Sequence, residues 1–214
     1  MTVTYDLVPV EGLRPADVER VRDIYEAGFP AWLRADFGSL LEGRRPGEMP
    51  LALTEDGRPV GFAMLRPLGA TGWMYLRFFV VEAASRGRGL GGILWTHLTG
   101  WLRESGYSLL VFDVEDPDEP GTEPEEVQLR SRRIAFYRRH GAAVLLVSGY
   151  RTPHDDAGEG PWTPMRLMAA GLAAGDPPTA TAAGLRSVVE AVYRHRWSLA
   201  PDHPQVTATQ LTDG

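Results

Sequence analysis

Apolar positions along this 214-residue chain change their period several times, and each change marks an element. Thr2 to Val10 alternates loosely and reads as a strand. Pro15-Ala16-Asp17 opens a helix, since proline is tolerated in a first turn. Val18, Val21, Tyr25 and Phe29 then recur at helical spacing. The sequence Phe29-Pro30-Ala31-Trp32 breaks that helix, and a shorter one is expected around Trp32 to Leu41. Leu51 to Thr54 and Pro59 to Leu68 flank an Asp56-Gly57 pair, a hairpin signal. Trp73 to Val81 is a long strand. Leu90, Ile93, Leu94, Leu98, Trp101 and Leu102 mark one helix face, closed by Gly106. Ser108 to Val114 follows as a strand apolar enough to be buried on both faces.

Asp116 to Glu126 is acidic, contains proline and lacks periodicity, so a long loop is expected there. Arg130 to Arg139 reads as a short basic helix carrying Ile134, Phe136 and Tyr137 and ended by Gly141. Ala143 to Tyr150 and Thr163 to Met168 read as a last strand pair. These elements make residues 1–172 one α/β unit, a mixed sheet with helices on both faces. Residues 173–184, rich in Pro, Ala, Thr and Gly, look like a linker. Residues 185–197 form an amphipathic helix with Leu185, Val188, Val189, Val192 and Tyr193 on one face. That stripe must be covered, by its own domain or by a second copy in a homodimer. Residues 198–214 are expected to be poorly ordered.

Composition removes several classes of chemistry. The chain has no cysteine, which excludes disulfides, thiolate catalysis and cysteine-ligated zinc. All 22 basic residues are arginine, which excludes a Schiff-base lysine and a P-loop lysine. The five histidines show no metal-ligand spacing, so no metal is expected. A net charge of −6 argues against nucleic-acid binding. No signal-peptide pattern or membrane-length apolar run is visible, so a cytoplasmic protein without a membrane partner is expected.

The candidate chemistry sits between the long strand and the helix that follows it, at Arg86-Gly87-Arg88-Gly89-Leu90-Gly91-Gly92. A glycine-rich turn at a helix N-terminus aligns backbone N–H groups where the helix dipole is positive, a socket for a diphosphate. The arginines add forked donors for phosphate oxygens. Gly87, Gly89 and Gly92 also fit a dinucleotide-binding G-x-G-x-x-G, with Asp113 and Glu115 at about the distance of a ribose-binding acid. Two features oppose that reading. Residues 82–86 separate the strand from the first glycine, and only one strand–helix–strand unit surrounds the loop.

Val81 followed by Arg86-x-x-Gly89-x-Gly91 resembles the acyl-CoA-binding signature of the GNAT acyltransferases, R/Q-x-x-G-x-G/A after a hydrophobic strand. Phe136-Tyr137-Arg138-Arg139-His140-Gly141-Ala142 resembles the F-Y-x-x-x-G-F element that follows downstream in the same family. The family's Asn-x-x-Ala ahead of that pair is replaced here by Arg130 and Arg133. The resemblance implies a central, mostly antiparallel mixed sheet flanked by helices, with the C-terminal helix outside it. It also implies acetyl-CoA, or another acyl-CoA, as donor to a primary amine of a small molecule. The pyrophosphate then falls to Arg86, Gly87, Arg88, Gly89, Leu90, Gly91 and Gly92, and the pantetheine arm pairs with Phe79, Val80 and Val81 in the manner of an added strand.

Tyr137 stands at the family's tyrosine position and is the expected general acid for the leaving thiolate. The glutamate that some members carry on the signature strand is Tyr75 here, so Glu115 is the expected base, with Asp113, Glu82 and Glu26 behind it. Phe29, Trp32 and Phe37 are expected near the acceptor. His97 and His140 read as helix residues, His140 as a C-terminal cap. The run Arg130 to Arg133 is either a solvated face or a contact for the cofactor's 3′-phosphate. Two rivals remain at this level. One is transfer from the phosphopantetheine arm of an acyl carrier protein, with Arg130 to Arg139 as its docking patch. The other is a non-catalytic CoA-binding module.

Overall fold

Three antiparallel strands, β1 (Tyr5–Pro9), β2 (Met49–Glu55) and β3 (Arg58–Pro67), open the sheet. Asp56 and Gly57 join β2 to β3 with φ of 48° and 80°, the paired positive angles of a tight hairpin turn. The computed structural model describes residues 2–29, 31, 34–42, 46–85, 87–153 and 161–212. Two helices separate β1 from β2. The first, α1 (Pro15–Gly28), has its proline in the first turn; the second is the short α2 (Phe37–Glu42). The side-chain-free Gly28 lets the end of α1 lie on the sheet, since a Cβ there would overlap Val80.

The glycine loop lies between β4 (Trp73–Val81) and α3 (Leu90–Glu104), and β5 (Leu109–Glu115) runs parallel to β4. Next comes α4 (Pro124–Arg139). The acidic loop is therefore shorter than its composition suggests. Pro124 takes the first turn of α4, and Glu125 and Glu126 sit at its positive end. Three short strands follow, β6 (Ala142–Val144), β7 (Val147–Ser148) and β8 (Arg151–Pro153). The long β9 (Trp162–Gly171) then pairs with β5, β6 and β8. The main path runs β1-β2-β3-β4-β5-β9-β6, and every pairing except β4–β5 is antiparallel.

Alternation along the strands sorts the core into two faces. Ala63, Leu65, Leu110 and Phe112 meet Trp95, Leu98 and Leu102 of α3 and Tyr137 of α4. Phe62 and Met64 meet Val21 and Tyr25 of α1, while Leu109 and Val111 meet the C-terminal helix α5 (Ala182–Arg196). Val188, Val189, Val192 and Tyr193 are 0% exposed, so the apolar stripe of α5 is covered by its own sheet rather than by a second copy.

The last residues depart from the expected loose tail. They form α6 (Pro204–Ala208) and β10 (Gln210–Leu211), the latter antiparallel to β7. Buried Val206 anchors this segment, and the Thr209 hydroxyl bonds Tyr193 at 2.9 Å. So few apolar positions carry no periodic signal, yet two long-range contacts order the backbone.

Candidate active site

The two parallel strands stay together for only three residue pairs, Trp73–Tyr75 against Leu109–Val111. Beside that point the β3–β4 register slips, because Phe78 faces Met64 while Leu76 faces Leu65 and Arg77 is the extra residue. Such a bulge increases local twist and turns the strand away from its neighbour. Beyond it β4 and β5 part, and a cavity of about 740 Å³ opens between Leu76–Val81 and Phe112–Glu115. The free edge of β4 follows from the ladder. Glu82 N–H bonds the Val60 carbonyl (2.9 Å), so Val80 and Phe78 also address β3. The N–H groups of Phe79 and Val81 therefore face the opening.

The glycine loop closes one end of this edge. Gly87 (φ 86°) and Gly89 (φ 78°) occupy the left-handed region, and Gly89 is the N-cap of α3. The first bond of α3 runs from Ile93 N–H to the Gly89 carbonyl (3.1 Å). The N–H groups before it belong to the turn that a helix leaves unpaired, an anion-binding arrangement. Gly92 has a separate packing reason, since a Cβ there would sit 3.0 Å from Nε2 of His140, the residue that caps α4. Arg88 pairs with Glu55 and keeps 51% of its side chain exposed. Arg86 lies outside the described residues, as does Trp32.

Tyr137 reaches the cavity from α4. Its ring packs against Phe112 (4.4 Å between centroids), Trp95 (5.2 Å) and Phe79 (6.0 Å). Burial pushes its hydroxyl up to about 12, so it stays a proton donor at neutral pH. No hydrogen-bond partner for that hydroxyl is seen among the described residues.

The carboxylates divide into different roles. Glu115 lines the cavity but its Oε2 accepts from Arg133. Glu82 is held by Arg20 and lies 3.8 Å from Arg58, and Glu26 lies 3.6 Å from Arg34. Asp113 lines the cavity and accepts from the Tyr150 hydroxyl (3.0 Å). Burial raises its carboxyl above the usual range, against the pull of Tyr75, Arg196 and Tyr150. Phe29 is in the cavity wall, whereas Phe37 is core at 1% exposure.

Arg130 mainly organises its own neighbourhood. It donates to the Asp116 carbonyl (2.8 Å) and to Glu119 (2.7 Å), and so pins the acidic loop at the cavity rim. His140 follows the last turn of α4, where its carbonyl accepts from Trp95 Nε1 (3.1 Å). His97 is half-buried on α3.

Periodicity did not single out a group of buried charges that reaches the cavity through Arg77. Glu48 accepts from both Arg66 and Arg77, the latter at 2.9 Å, with the three side chains only 2%, 7% and 5% exposed. Arg66 also donates to the Arg196 carbonyl at the end of α5 (2.7 Å). Burial, with Arg196 and Arg77 close by, brings the Arg66 guanidinium down to about 10. The sequence signal was an arginine inside each of two apolar strands, a place where an unpaired charge is costly.

The geometry is that of a known group of enzymes. The Acetyltransferase (GNAT) family matches residues 18–142. Solved structures share the fold at low identity. One is a protein assigned to the GNAT family from Bacteroides thetaiotaomicron, with TM-score 0.65 and 20% identity over 91% of this chain and 99% of that one. A second is an aminoglycoside 6'-N-acetyltransferase complexed with coenzyme A, with TM-score 0.60 and 18% identity over 80% and 99%. A third is the ribosomal-protein-S18-alanine N-acetyltransferase of Escherichia coli, with TM-score 0.56 and 17% identity over 81% and 97%. No curated protein matches the chain in sequence. No helix among the described residues is long and apolar enough to cross a membrane. With the signature loop, the splayed strands and the family match in agreement, the chain belongs to the GNAT acetyltransferase family.

Proposed function

We propose that this protein is an N-acyltransferase that moves an acetyl or short acyl group from acyl-CoA to a primary amine of a small molecule. The observation that carries this is the opening between β4 and β5, which puts a free strand edge, a phosphate-type loop and a buried tyrosine around one cavity. The backbone of Phe79 and Val81 offers the donors and acceptors an extended pantetheine arm needs. The loop from Gly87 to Gly92 takes the pyrophosphate, with Arg88, and with Arg86 by its place in the signature. An N–H on the β4 edge polarises the thioester carbonyl.

The amine nitrogen attacks the thioester carbon, forming the C–N bond; collapse of the tetrahedral intermediate breaks C–S. Tyr137 gives its proton to the departing thiolate. The proton lost by the amine goes to a carboxylate, and Asp113 suits that task better than Glu115. Its raised carboxyl is nearer neutrality, whereas the Glu115 oxygen is occupied by Arg133. The proton returns to Tyr137 through solvent. Donation from a carrier protein is the weaker reading, because Arg130 of its docking patch is spent on the acidic loop.

Thiol release from acetyl-CoA with a panel of amines tests the reading. Turnover with at least one small amine, reduced in Tyr137→Phe with acetyl-CoA affinity retained, is expected. Undiminished turnover in that variant would remove the general acid, and acetyl-CoA binding with no acceptor in a broad panel would favour a non-catalytic module.

A further inference from the structure

The cavity is completed from outside the family-matched residues 18–142, by Met165 of β9 and by Arg196 and Trp197 at the end of α5. Arg196 ends α5, and its guanidinium stacks 3.9 Å over the Trp197 ring and 5.8 Å from the Tyr75 ring. Both Arg196 and Trp197 line the cavity, as do Arg77 from the β4 bulge and Asp113 from β5. Arg196 is close enough to Asp113 for their charges to interact. Two guanidiniums and a carboxyl thus line one cavity.

We propose that the acceptor is a free α-amino acid with an apolar side chain, its carboxylate taken by Arg196 and Arg77 and its ammonium by Asp113. The inference rests on the acyl-transfer reading above and deepens it by naming the acceptor class.

A zwitterion carries opposite charges on one carbon, and Arg196 and Asp113, which line the same cavity and feel each other's charge, present the complementary pair. The forked guanidinium matches a carboxylate in a way an ammonium would not. Glu48 serves both Arg66 and Arg77, and Arg66 in turn donates to the Arg196 carbonyl and feels the charges of Arg77 and Arg196, so three guanidiniums gather around one shared carboxylate beside this wall. An anionic group is therefore the natural complement of this wall. The buried indole Nε1 of Trp197 adds a donor that has no acceptor among the described residues. Phe29, Phe78, Met165 and the Trp197 ring supply an apolar lining for the side chain. Proton transfer fits the same placement. Asp113 takes one proton from the bound ammonium, the freed amine attacks the thioester, and the carboxylate stays on the arginines.

Three acceptors of one side chain decide the matter: an apolar amino acid such as methionine or phenylalanine, its carboxamide, and its decarboxylated amine. Each is assayed by thiol release from acetyl-CoA and by calorimetric titration onto the CoA-saturated protein. The expected result is a kcat/KM and an affinity for the amino acid about tenfold or more above both analogues, as for loss of a charged hydrogen bond. Arg196→Lys should shrink that preference, with its melting temperature checked in parallel; if it fails to fold, the wild-type comparison decides alone. Equal turnover of all three, or turnover only of amines without a carboxylate, would overturn the inference and leave acyl transfer standing. Failure to bind acetyl-CoA would remove both.

Discussion

Glu48→Gln should be among the most damaging conservative substitutions in this protein. The carboxylate is 2% exposed and serves Arg66 and Arg77, themselves 7% and 5% exposed. Glutamine keeps the shape but removes the charge, leaving two buried guanidiniums without their shared counter-ion. Breaking a buried pair in this way costs about 3–5 kcal/mol. For a chain of this size each kcal/mol lowers the melting temperature by about 2–4 °C, so a fall of roughly 6–20 °C is expected. Scanning calorimetry gives the shift, and urea unfolding should show a lower midpoint at unchanged slope. Glu55→Gln is the control. It removes a solvent-screened pair whose arginine is 51% exposed and should shift the melting temperature far less than Glu48→Gln does. Because Glu48 also fixes Arg77 in the β4 bulge, the variant should turn over slowly even well below its melting point. A Glu48→Gln protein melting within about 2 °C of wild type would refute the reasoning.

Other perturbations separate the remaining parts of the account. Tyr137→Phe should lower kcat by about 10²-fold or more while sparing acetyl-CoA affinity, read by steady-state kinetics beside titration. Its hydroxyl is raised from 10.0 to about 12 in the folded chain, so the folded state holds that proton longer than the unfolded one. The contribution is complete below pH 10 and lost as pH climbs through about 12, which alkaline unfolding followed by circular dichroism will show. Gly89→Ala meets no atom within 4 Å but must adopt φ 78°, a cost of about 1–2 kcal/mol, and acetyl-CoA should bind more weakly. Truncation before Ala182 strips four fully buried side chains from the sheet, worth roughly 1.5–3 kcal/mol each. That sum rivals the whole stability of a typical domain, so the shortened chain should not stay soluble; a folded monomer would contradict the packing of α5.

Local signals in the sequence carried much of the fold. The Asp56-Gly57 hairpin, the glycine turn before α3 and the stripe of α5 each depend on residues close in the chain, and each is found in place. The signal for an earlier start of α4 was also present in Pro124-Glu125-Glu126, but the acidic run around it suggested a loop. Other features were not legible because they depend on partners far along the chain. The bulge at Arg77 is a matter of register with β3, and the Glu48–Arg66–Arg77 group joins three separate segments. Asp113 and Glu115 look alike in sequence on one strand, yet Tyr150 stands beside one and Arg133 beside the other. Order in the tail likewise hangs on Val206 and Thr209, whose partners lie elsewhere.

The central claim is that the opening between β4 and β5 holds acyl-CoA. Calorimetric titration of the 214-residue chain with acetyl-CoA, with NAD in parallel, tests it most directly. The account predicts saturable one-to-one binding of acetyl-CoA that weakens in Gly89→Ala, and no heat from NAD. Binding of NAD without binding of acetyl-CoA would contradict it.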